Sequence, residues 1–247
     1  TPQLALNIGG TTVQANYASG SGTNALVFTY TVAAGFNDTD GISLAANALS
    51  LNGGTLRDAV GNNATLTTAA VADNSSFKVD TTAATAPSIT SVSDDVGSIT
   101  GSVTSGASTD DTALVVRVSV ANTGAVAGDS VQLNNAGAAL GSAVTLTAAN
   151  ITAGFVDIST PVLSNATTYA FNAKITDAAG NVSTASANHS VSIDTTAPVV
   201  NSLAITSAVG AMNNTLSVGD VVSVTVNMSE VTTVTGTPQL ALNIGGT

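Results

Sequence analysis

The sequence predicts an all-β fold of antiparallel sandwiches, and three observations support this prediction. Apolar and polar residues alternate with a period of two wherever a strand is expected. Turn-rich segments, such as residues 18–23 and 122–129, separate these stretches. The apolar content is 44% with 8% charged residues, which excludes simple disorder, and no long helical period occurs. We therefore expect short strands joined by turns.

The alternation is clearest in four stretches along the chain. Their apolar members, which we expect to face a core, are Leu26, Phe28, Tyr30 and Val32; Leu114, Val116, Val118 and Val120; Tyr169, Phe171, Ala173 and Ile175; and Val222, Val224, Val226 and Met228. Residues such as Thr29, Arg117 and Lys174 occupy the opposite faces. These stretches are predicted to be half-buried antiparallel strands, and Tyr169 stands where a tyrosine corner would begin strand F of a sandwich.

An internal repeat organises the chain. Thr237–Thr247 reads TPQLALNIGGT and is identical over all 11 residues to Thr1–Thr11, so the offset of 236 residues is a repeat period. We expect the ends to be cut through a domain. Joining the 38 residues 199–236 to the 80 residues 1–80 gives 118 residues, a plausible complete sandwich.

Two similar linkers set the predicted domain boundaries. Val79-Asp80-Thr81-Thr82 and Ile193-Asp194-Thr195-Thr196 each close a strand, and a proline follows that blocks helix and favours an extended chain. In chain order, the predicted segments are 1–80, the C-terminal part of a split repeat; 81–86, a linker; 87–194, a complete domain; 195–198, a linker; and 199–247, the N-terminal part of the next repeat.

Charge and composition limit the partners. Four Lys plus Arg against 15 Asp plus Glu give a formal net charge of −11, so nucleic acid and anionic membranes are poor partners and cations are better ones. No Cys is present, which excludes disulfides and thiolate metal sites. We find no signal peptide and no apolar run of about 18 residues. We expect no membrane insertion here and an export signal or anchor outside this segment.

The motif Asp-Ala-x-Gly-Asn occurs twice, as Asp58–Asn62 and Asp177–Asn181, each shortly before the last strand of its repeat. In a sandwich this position is the loop between strands F and G. Two interpretations remain open. The motif is either a tight turn in which Asp and Asn bond backbone groups, or part of a cation site.

The other carboxylates favour calcium at the domain junctions. We expect the loop residues Asp38 and Asp40 to approach Asp80 and the next domain's Asp177 and Asn181. At the second junction, Asp110, Asp111 and Asp194 would meet the equivalents of Asp58 and Asn62 in the following repeat. Asp94 and Asp95 form a further pair that we assign to neither end. Ca²⁺ takes six to eight such oxygens, although residues 38–41 lack the Glu that closes an EF-hand loop.

The sequence contains few residues of the types that commonly act in catalysis. His189 is the only histidine, and it shares strand parity with Val191 and Ile193, so we predict a partly buried structural role for it. The carboxylate pairs lie in repeated turns and linkers, which suggests structure rather than glycoside hydrolysis. The chain is predicted not to be an enzyme.

The motifs of the middle domain carry a family resemblance. Its Ala86-Pro87, Ser93–Gly97, Ser108–Thr112, Thr176–Asn181 and Asp194–Pro198 resemble the bacterial immunoglobulin-like tandem repeats of giant adhesins and biofilm-associated surface proteins. The split repeat, with Asp40–Leu44 and Leu49–Gly54, looks like a related class from the same kind of protein.

This resemblance implies tandem immunoglobulin-like antiparallel β-sandwich domains in an extended array, with Ca²⁺ at their junctions. It implies a place outside the cell, on a bacterial surface, in proteins exported by type I secretion that often have repeats-in-toxin ends. The expected function is a spacer that supports adhesion or biofilm formation, with neighbouring repeats as its partners.

Two alternatives stay open. The first is a self-assembling surface layer or filament, in which residues 199–247 of one copy supply strands to residues 1–80 of the next. The second is a carbohydrate- or ice-binding module, which the aromatic content of 3% and the lack of a regular threonine array disfavour.

Overall fold

The computed structural model describes residues 1–245, which are 39% strand and 2% helix. This confirms the all-β prediction, and nearly all ladders between strands are antiparallel. Within these residues, no helix has the length and apolar character needed to cross a membrane. The chain divides into two compact units, Thr1–Ile193 and a second unit that begins at Asp194.

Residues 1–80 of the first unit contain six strands. They are β1 (Gln3–Ile8), β2 (Thr11–Ser19), β3 (Val27–Thr29), β4 (Asn37–Asp38), β5 (Leu49–Ser50) and β6 (Val79–Asp80). One sheet has the order β3-β2-β1-β5, and β4 pairs with β6 in a separate two-residue ladder. Gly9 and Gly10 join β1 to β2 with φ angles of 54° and 83°, as a two-residue hairpin turn of this type requires.

The predicted strand around Leu26–Val32 is shorter than expected. Only Val27–Thr29 pairs with β2, and Leu26 and Val32 are 38% and 41% exposed rather than facing a core. Phe28 is half-buried and meets the edge of Tyr17 at a centroid distance of 5.8 Å. The register of this ladder also shifts between Tyr17 and Ser19.

Residues 88–193 of the first unit form two facing sheets. Their elements are β7 (Ser88–Asp94), β8 (Gly101–Ser102), β9 (Ser108–Thr109), β10 (Val115–Ser119), β11 (Ser130–Asn135), β12 (Ala138–Ala139), β13 (Val144–Thr145), α1 (Ala148–Ala153), β14 (Phe155–Ser159), β15 (Thr167–Thr176) and β16 (His189–Ile193). One sheet has the order β14-β10-β7-β8 and the other β12-β11-β15-β16-β9, with β13 also paired to β11.

The core of this sandwich comes from the predicted alternation. Val116, Val118, Phe171 and Ile175 are all 0% exposed and belong to one buried cluster shared by the two sheets. Tyr169 is half-buried, and its hydroxyl accepts a hydrogen bond from the backbone N–H of Ser164 at 2.9 Å. The predicted core faces of these two strands are therefore confirmed.

The short helix α1 was not predicted. Thr147 is its N-cap, and the side chains of Thr147 and Asn150 bond each other's backbone N–H groups in a capping box. Gly154 ends the helix with a φ of 77°. The Thr-x-x-Asn spacing and the glycine were the available signals, but six residues are too few to produce a helical period.

The described part of the second unit contains two strands, β17 (Val200–Val209) and β18 (Val221–Met228), which pair as a hairpin. The predicted strand at residues 222–228 is confirmed as part of β18. Its partner β17 is exposed along its length, and Leu203, Ile205 and Val209 are 55%, 74% and 67% exposed. The apolar side chains of β17 are thus largely exposed within the described part of the unit, although Leu240 and Leu242 line a cleft with Leu203 and Ile205.

Candidate cation sites

The two Asp-Ala-x-Gly-Asn motifs have the same geometry. Asp58 Oδ1 accepts hydrogen bonds from the N–H groups of Val60 (3.0 Å) and Asn62 (2.8 Å), and its Oδ2 accepts from Asn62 Nδ2 at 2.7 Å. The corresponding distances at Asp177 are 2.9 Å from Ala179 N–H, 2.8 Å from Asn181 N–H and 2.8 Å from Asn181 Nδ2. Each carboxylate is therefore held by three donors of its own loop.

These contacts favour the tight-turn interpretation of the motif. Gly61 and Gly180 have φ angles of 96° and 91°, which glycine adopts without steric cost. The hydrogen bonds of Asn62, from its side chain first and then its backbone, lower the pKa of Asp58. At Asp177, burial raises the pKa, but the hydrogen bonds of Asn181 and the loop outweigh it, so the net shift is downward.

Replacing Asn62 by Ala is expected to raise the pKa of Asp58 toward its ordinary value of about 3.8. A folded-state pKa below the unfolded one means that the carboxylate stabilises the turn fully above the unfolded pKa and stops doing so as the pH falls through the folded pKa. An NMR titration of the Asp58 carboxyl carbon measures this change. Asn63→Ala is the matched control, because Asn63 bonds Arg57 instead; equal Asp58 pKa values in the two variants would contradict the assignment.

At the first predicted junction, Asp38 holds two loops together. It is 3% exposed, and its carboxylate accepts hydrogen bonds from the N–H groups of Gly9 (2.8 Å) and Gly41 (2.7 Å). The bond from Gly9, followed by that from Gly41, lowers the pKa of Asp38. Asp40 contributes less to lowering the pKa of Asp38 and is itself exposed. The carboxylate of Asp38 is thus already satisfied by backbone donors.

Asp80 reaches the motif of the following domain through its backbone. Asn181 Nδ2 donates a hydrogen bond to the Asp80 carbonyl oxygen at 3.1 Å, whereas the Asp80 carboxylate accepts from Thr82 N–H at 2.9 Å. In the β4–β6 ladder, Asp80 lies opposite Asn37, so the side chain of Asp38 points to the other face. The structure brings Asp80 and Asn181 together as predicted, but it turns Asp38 away from Asp80.

Two Asp-Asp pairs lie on neighbouring loops at the end of the sandwich, and we call Asp94, Asp95, Asp110 and Asp111 the acidic cluster. Asp94 and Asp111 are 7% and 2% exposed, while Asp95 and Asp110 are exposed. Asp111 Oδ2 accepts a hydrogen bond from Asp95 N–H at 3.4 Å, which links the two Asp-Asp pairs. The sequence predicted all four as cation ligands but left the 94–95 pair unplaced.

Close packing of two loops builds this cluster. Gly97 has a φ of 74°, and a Cβ atom on it would lie 2.2 Å from Asp110 Oδ2, so the side chain of Asp110 lies directly against the 94–97 loop. Strand β9 runs parallel to β16 with Thr109 opposite Ile193. The acidic cluster therefore lies at the end of the sandwich where β16 finishes.

Asp194, the remaining predicted ligand, begins the second unit. Its Oδ1 accepts a hydrogen bond from the backbone N–H of Thr196 at 3.1 Å. Asp80 makes the same turn with Thr82. The two Asp-Thr-Thr linkers thus share a local conformation, in which the carboxylate bonds the N–H two residues later.

The donor chemistry of the acidic cluster suits a hard cation. Carboxylate oxygens are the ligands that Ca²⁺ prefers, and Asp94 and Asp111 receive hydrogen bonds from neutral groups, the hydroxyl of Thr109 and the N–H groups of Val96 and Ala113. Within residues 1–245, no group of three or more acidic, histidine or cysteine side chains is arranged closely enough to hold a metal ion. The acidic cluster thus offers oxygen donors of the kind that Ca²⁺ prefers, but three of its side chains are not gathered at one point.

His189 has the structural contacts predicted for it. It is half-buried, and its Nε2–H donates to the Val103 carbonyl oxygen at 2.9 Å, since a carbonyl can only accept. Val191 and Ile193, on the same face of β16, are 0% and 1% exposed. The imidazole thus fastens β16 to the Val103 loop.

Comparisons of this chain with protein-family models, with curated proteins and with solved structures found no match. The assignment of function therefore depends on the residues and contacts of the chain itself.

Proposed function

We propose that the chain is a spacer region of a bacterial cell-surface adhesin, built from tandem immunoglobulin-like sandwiches and stiffened by Ca²⁺ at its domain junctions. Such a region acts by length and rigidity, holds other parts of its protein away from the cell, and performs no catalysis. The observation that carries the proposal is the acidic cluster, which lies at the end of the sandwich where β16 finishes and the linker begins.

The strand order of residues 88–193 supports the immunoglobulin-like assignment. Taken as strands A, B and E, β7, β10 and β14 share one sheet, while β11, β15 and β16 follow as C, F and G in the other. This is the partition that immunoglobulin-like sandwiches use. The bond between the Tyr169 hydroxyl and Ser164 N–H has the form of a tyrosine corner at the start of strand F.

The charge of the acidic cluster supports calcium. Carboxylates on neighbouring loops repel one another, and burying charged groups such as Asp94 and Asp111 without a counter-charge costs free energy. Ca²⁺ would be held by Asp94, Asp95, Asp110 and Asp111, and when bound it would supply the positive charge that these residues lack. The side chains of Asp110 and Asp111 would then tie the 94–97 loop to the end of β9, which fixes the surface next to the linker.

Calcium titration tests this proposal. Asp111→Asn is expected to weaken Ca²⁺ binding by about one to two orders of magnitude, because it removes a ligand charge while preserving size. Isothermal titration calorimetry measures the affinity. In the wild-type chain, free Ca²⁺ at one hundred times Kd should stabilise the sandwich by about 2.7 kcal/mol.

Asp157→Asn is the matched control, since Asp157 pairs with Arg117 at 2.7 Å and lies outside the cluster. This variant should retain wild-type calcium affinity. A wild-type thermal midpoint that chelation leaves unchanged, or equal affinities for the two variants, would overturn the calcium assignment. Solution scattering of a longer repeat array, with calcium and with chelator, tests the rigidity.

A further inference from the structure

The first predicted linker is bonded to the domain that precedes it. Thr81 Oγ1 donates a hydrogen bond to the Phe36 carbonyl oxygen at 2.8 Å and accepts one from the Gly35 N–H at 2.9 Å. Asn37 Oδ1 accepts hydrogen bonds from the Thr81 N–H at 3.2 Å and from the Thr82 hydroxyl at 3.3 Å. The side chains of Asn37 and Thr81 therefore hold the linker against the preceding domain.

The same linker is also bonded to the domain that follows it. Asn181 Nδ2 donates a hydrogen bond to the Asp80 carbonyl oxygen at 3.1 Å. Further along, the Thr85 N–H donates to the Thr123 carbonyl oxygen at 2.8 Å. Ala84 packs against the buried apolar cluster of the following sandwich. The linker is thus attached on both sides, and we call the contacts of residues 80–85 with the two domains the clasp.

The Asp-Ala-x-Gly-Asn turn aims the side chain of Asn181 at the linker. Asn181 Nδ2 donates to Asp177 Oδ2 at 2.8 Å as well as to the Asp80 carbonyl oxygen. An amide nitrogen has two N–H donors, so one bond holds the turn while the other reaches the linker. Because the turn already fixes its rotamer, Asn181 loses little side-chain entropy when it bonds the linker. The motif therefore has a second role besides closing its own loop.

The hydrogen bonds of the clasp join only neutral groups, namely amides, hydroxyls and carbonyls. The carboxylate of Asp80 instead accepts from the Thr82 N–H within the linker, at 2.9 Å. Asp177 is likewise held by its own loop, with the Ala179 N–H at 2.9 Å as one of its donors. Hydrogen bonds between neutral groups need no counter-ion and are little affected by salt. The contact between these two domains therefore does not require a bridging cation.

We propose that the clasp fixes the orientation of residues 1–80 relative to residues 88–193 without calcium, and that the Asn181 amide and the Thr81 hydroxyl are its main fasteners. This inference refines the proposed function, on which it rests for the role of the acidic cluster. Calcium-dependent stiffness is then confined to the junction beside the acidic cluster. In low calcium, an array would consist of stiff two-domain segments with one bend in each repeat period.

Distance measurements between two spin labels test the clasp in the full chain. The sequence contains no Cys, so Ser50→Cys and Ser159→Cys place one label on each domain, at exposed strand positions. The chain that is otherwise wild type should give the same narrow distance distribution in chelator and in calcium. Asn181→Ala and Thr81→Val should each broaden the distribution by about twofold or more, because domains without a fixed contact move relative to each other.

Each of these variants has a matched control that removes the same group from a contact within one domain. Asn62→Ala removes the equivalent amide of the other Asp-Ala-x-Gly-Asn turn, where it bonds Asp58. Thr23→Val removes a hydroxyl that bonds the carbonyl oxygens of Gly20 and Ala25 in its own loop. Both controls should leave the distance distribution as narrow as in the wild-type chain.

Three results would overturn the proposal. The first is a wild-type distribution that is broad in chelator and narrows with calcium, since calcium would then hold this junction. The second is an unchanged distribution in both Asn181→Ala and Thr81→Val, with circular dichroism showing that the chains are folded. The third is equal broadening in the variants and their controls. Asp111→Asn should weaken calcium binding but leave this distribution unchanged, so the clasp and the proposed calcium site can fail independently.

Discussion

Phe171→Ala is expected to lower the free energy of unfolding of residues 88–193 by about 3–5 kcal/mol. Phe171 is 0% exposed and stacks on Tyr169 at a centroid distance of 5.9 Å. It lies in β15, between β11 and β16, so the cavity left by the ring would open at the centre of the sandwich. A domain of this size has a total stability of only about 5–15 kcal/mol.

Hydrogen exchange measured by mass spectrometry reports the decrease in the free energy of unfolding for β15 and β16 separately from the rest of the chain. Phe77→Ala is the matched control: it removes the same ring at a position that is 65% exposed, and we expect it to cost less than about 1 kcal/mol. Equal destabilisation in the two variants would show that Phe171 does not anchor the core.

Gly41→Ala is expected to destabilise residues 1–80 by more than about 2 kcal/mol. Gly41 has a φ of 111°, and a Cβ atom there would lie 2.0 Å from the backbone oxygen of Asn74. Its N–H also donates to Asp38 Oδ1, so a shift of the backbone would break that bond. Denaturant unfolding with exchange readout on β1 and β4 measures the effect.

Gly35→Ala is the control for this variant. Gly35 has a φ of 93° with no other atom within 4 Å of a Cβ atom, so it reports the backbone strain without the clash. The difference between the two variants should be the same in calcium and in chelator, because backbone N–H groups already satisfy Asp38. A difference that calcium removes would show that residues 38–41 form a cation site and not a structural turn.

The conformation of the repeated Asp-Ala-x-Gly-Asn motif could be predicted from a short stretch of sequence. Both Asp58 and Asp177 were predicted to make either a turn or a cation site, and the spacing of Asp, Gly and Asn was enough to anticipate the turn. Its hydrogen bonds span at most four residues. Such contacts are encoded in a short stretch of sequence and require no knowledge of distant neighbours.

The positions of the acidic side chains could not be predicted from the local sequence alone. The sequence placed Asp38 toward Asp80, yet the β4–β6 register, set by a pairing across more than 40 residues, turns its carboxylate to Gly9 and Gly41. The same limitation left Asp94 and Asp95 unassigned, since their meeting with Asp111 depends on the path of β7 to β9.

The sequence by itself determined that this protein is an all-β chain with repeated turns, a 236-residue repeat and apolar strand faces such as those of residues 114–120 and 169–175. These properties follow from period-two alternation and local turn chemistry, which act over a few residues. Only the tertiary structure determined which of these apolar faces are buried against a second sheet. Phe171 is enclosed because two sheets meet over it, whereas Val32 belongs to a stretch with the same alternation but is 41% exposed, because burial depends on pairing between distant segments.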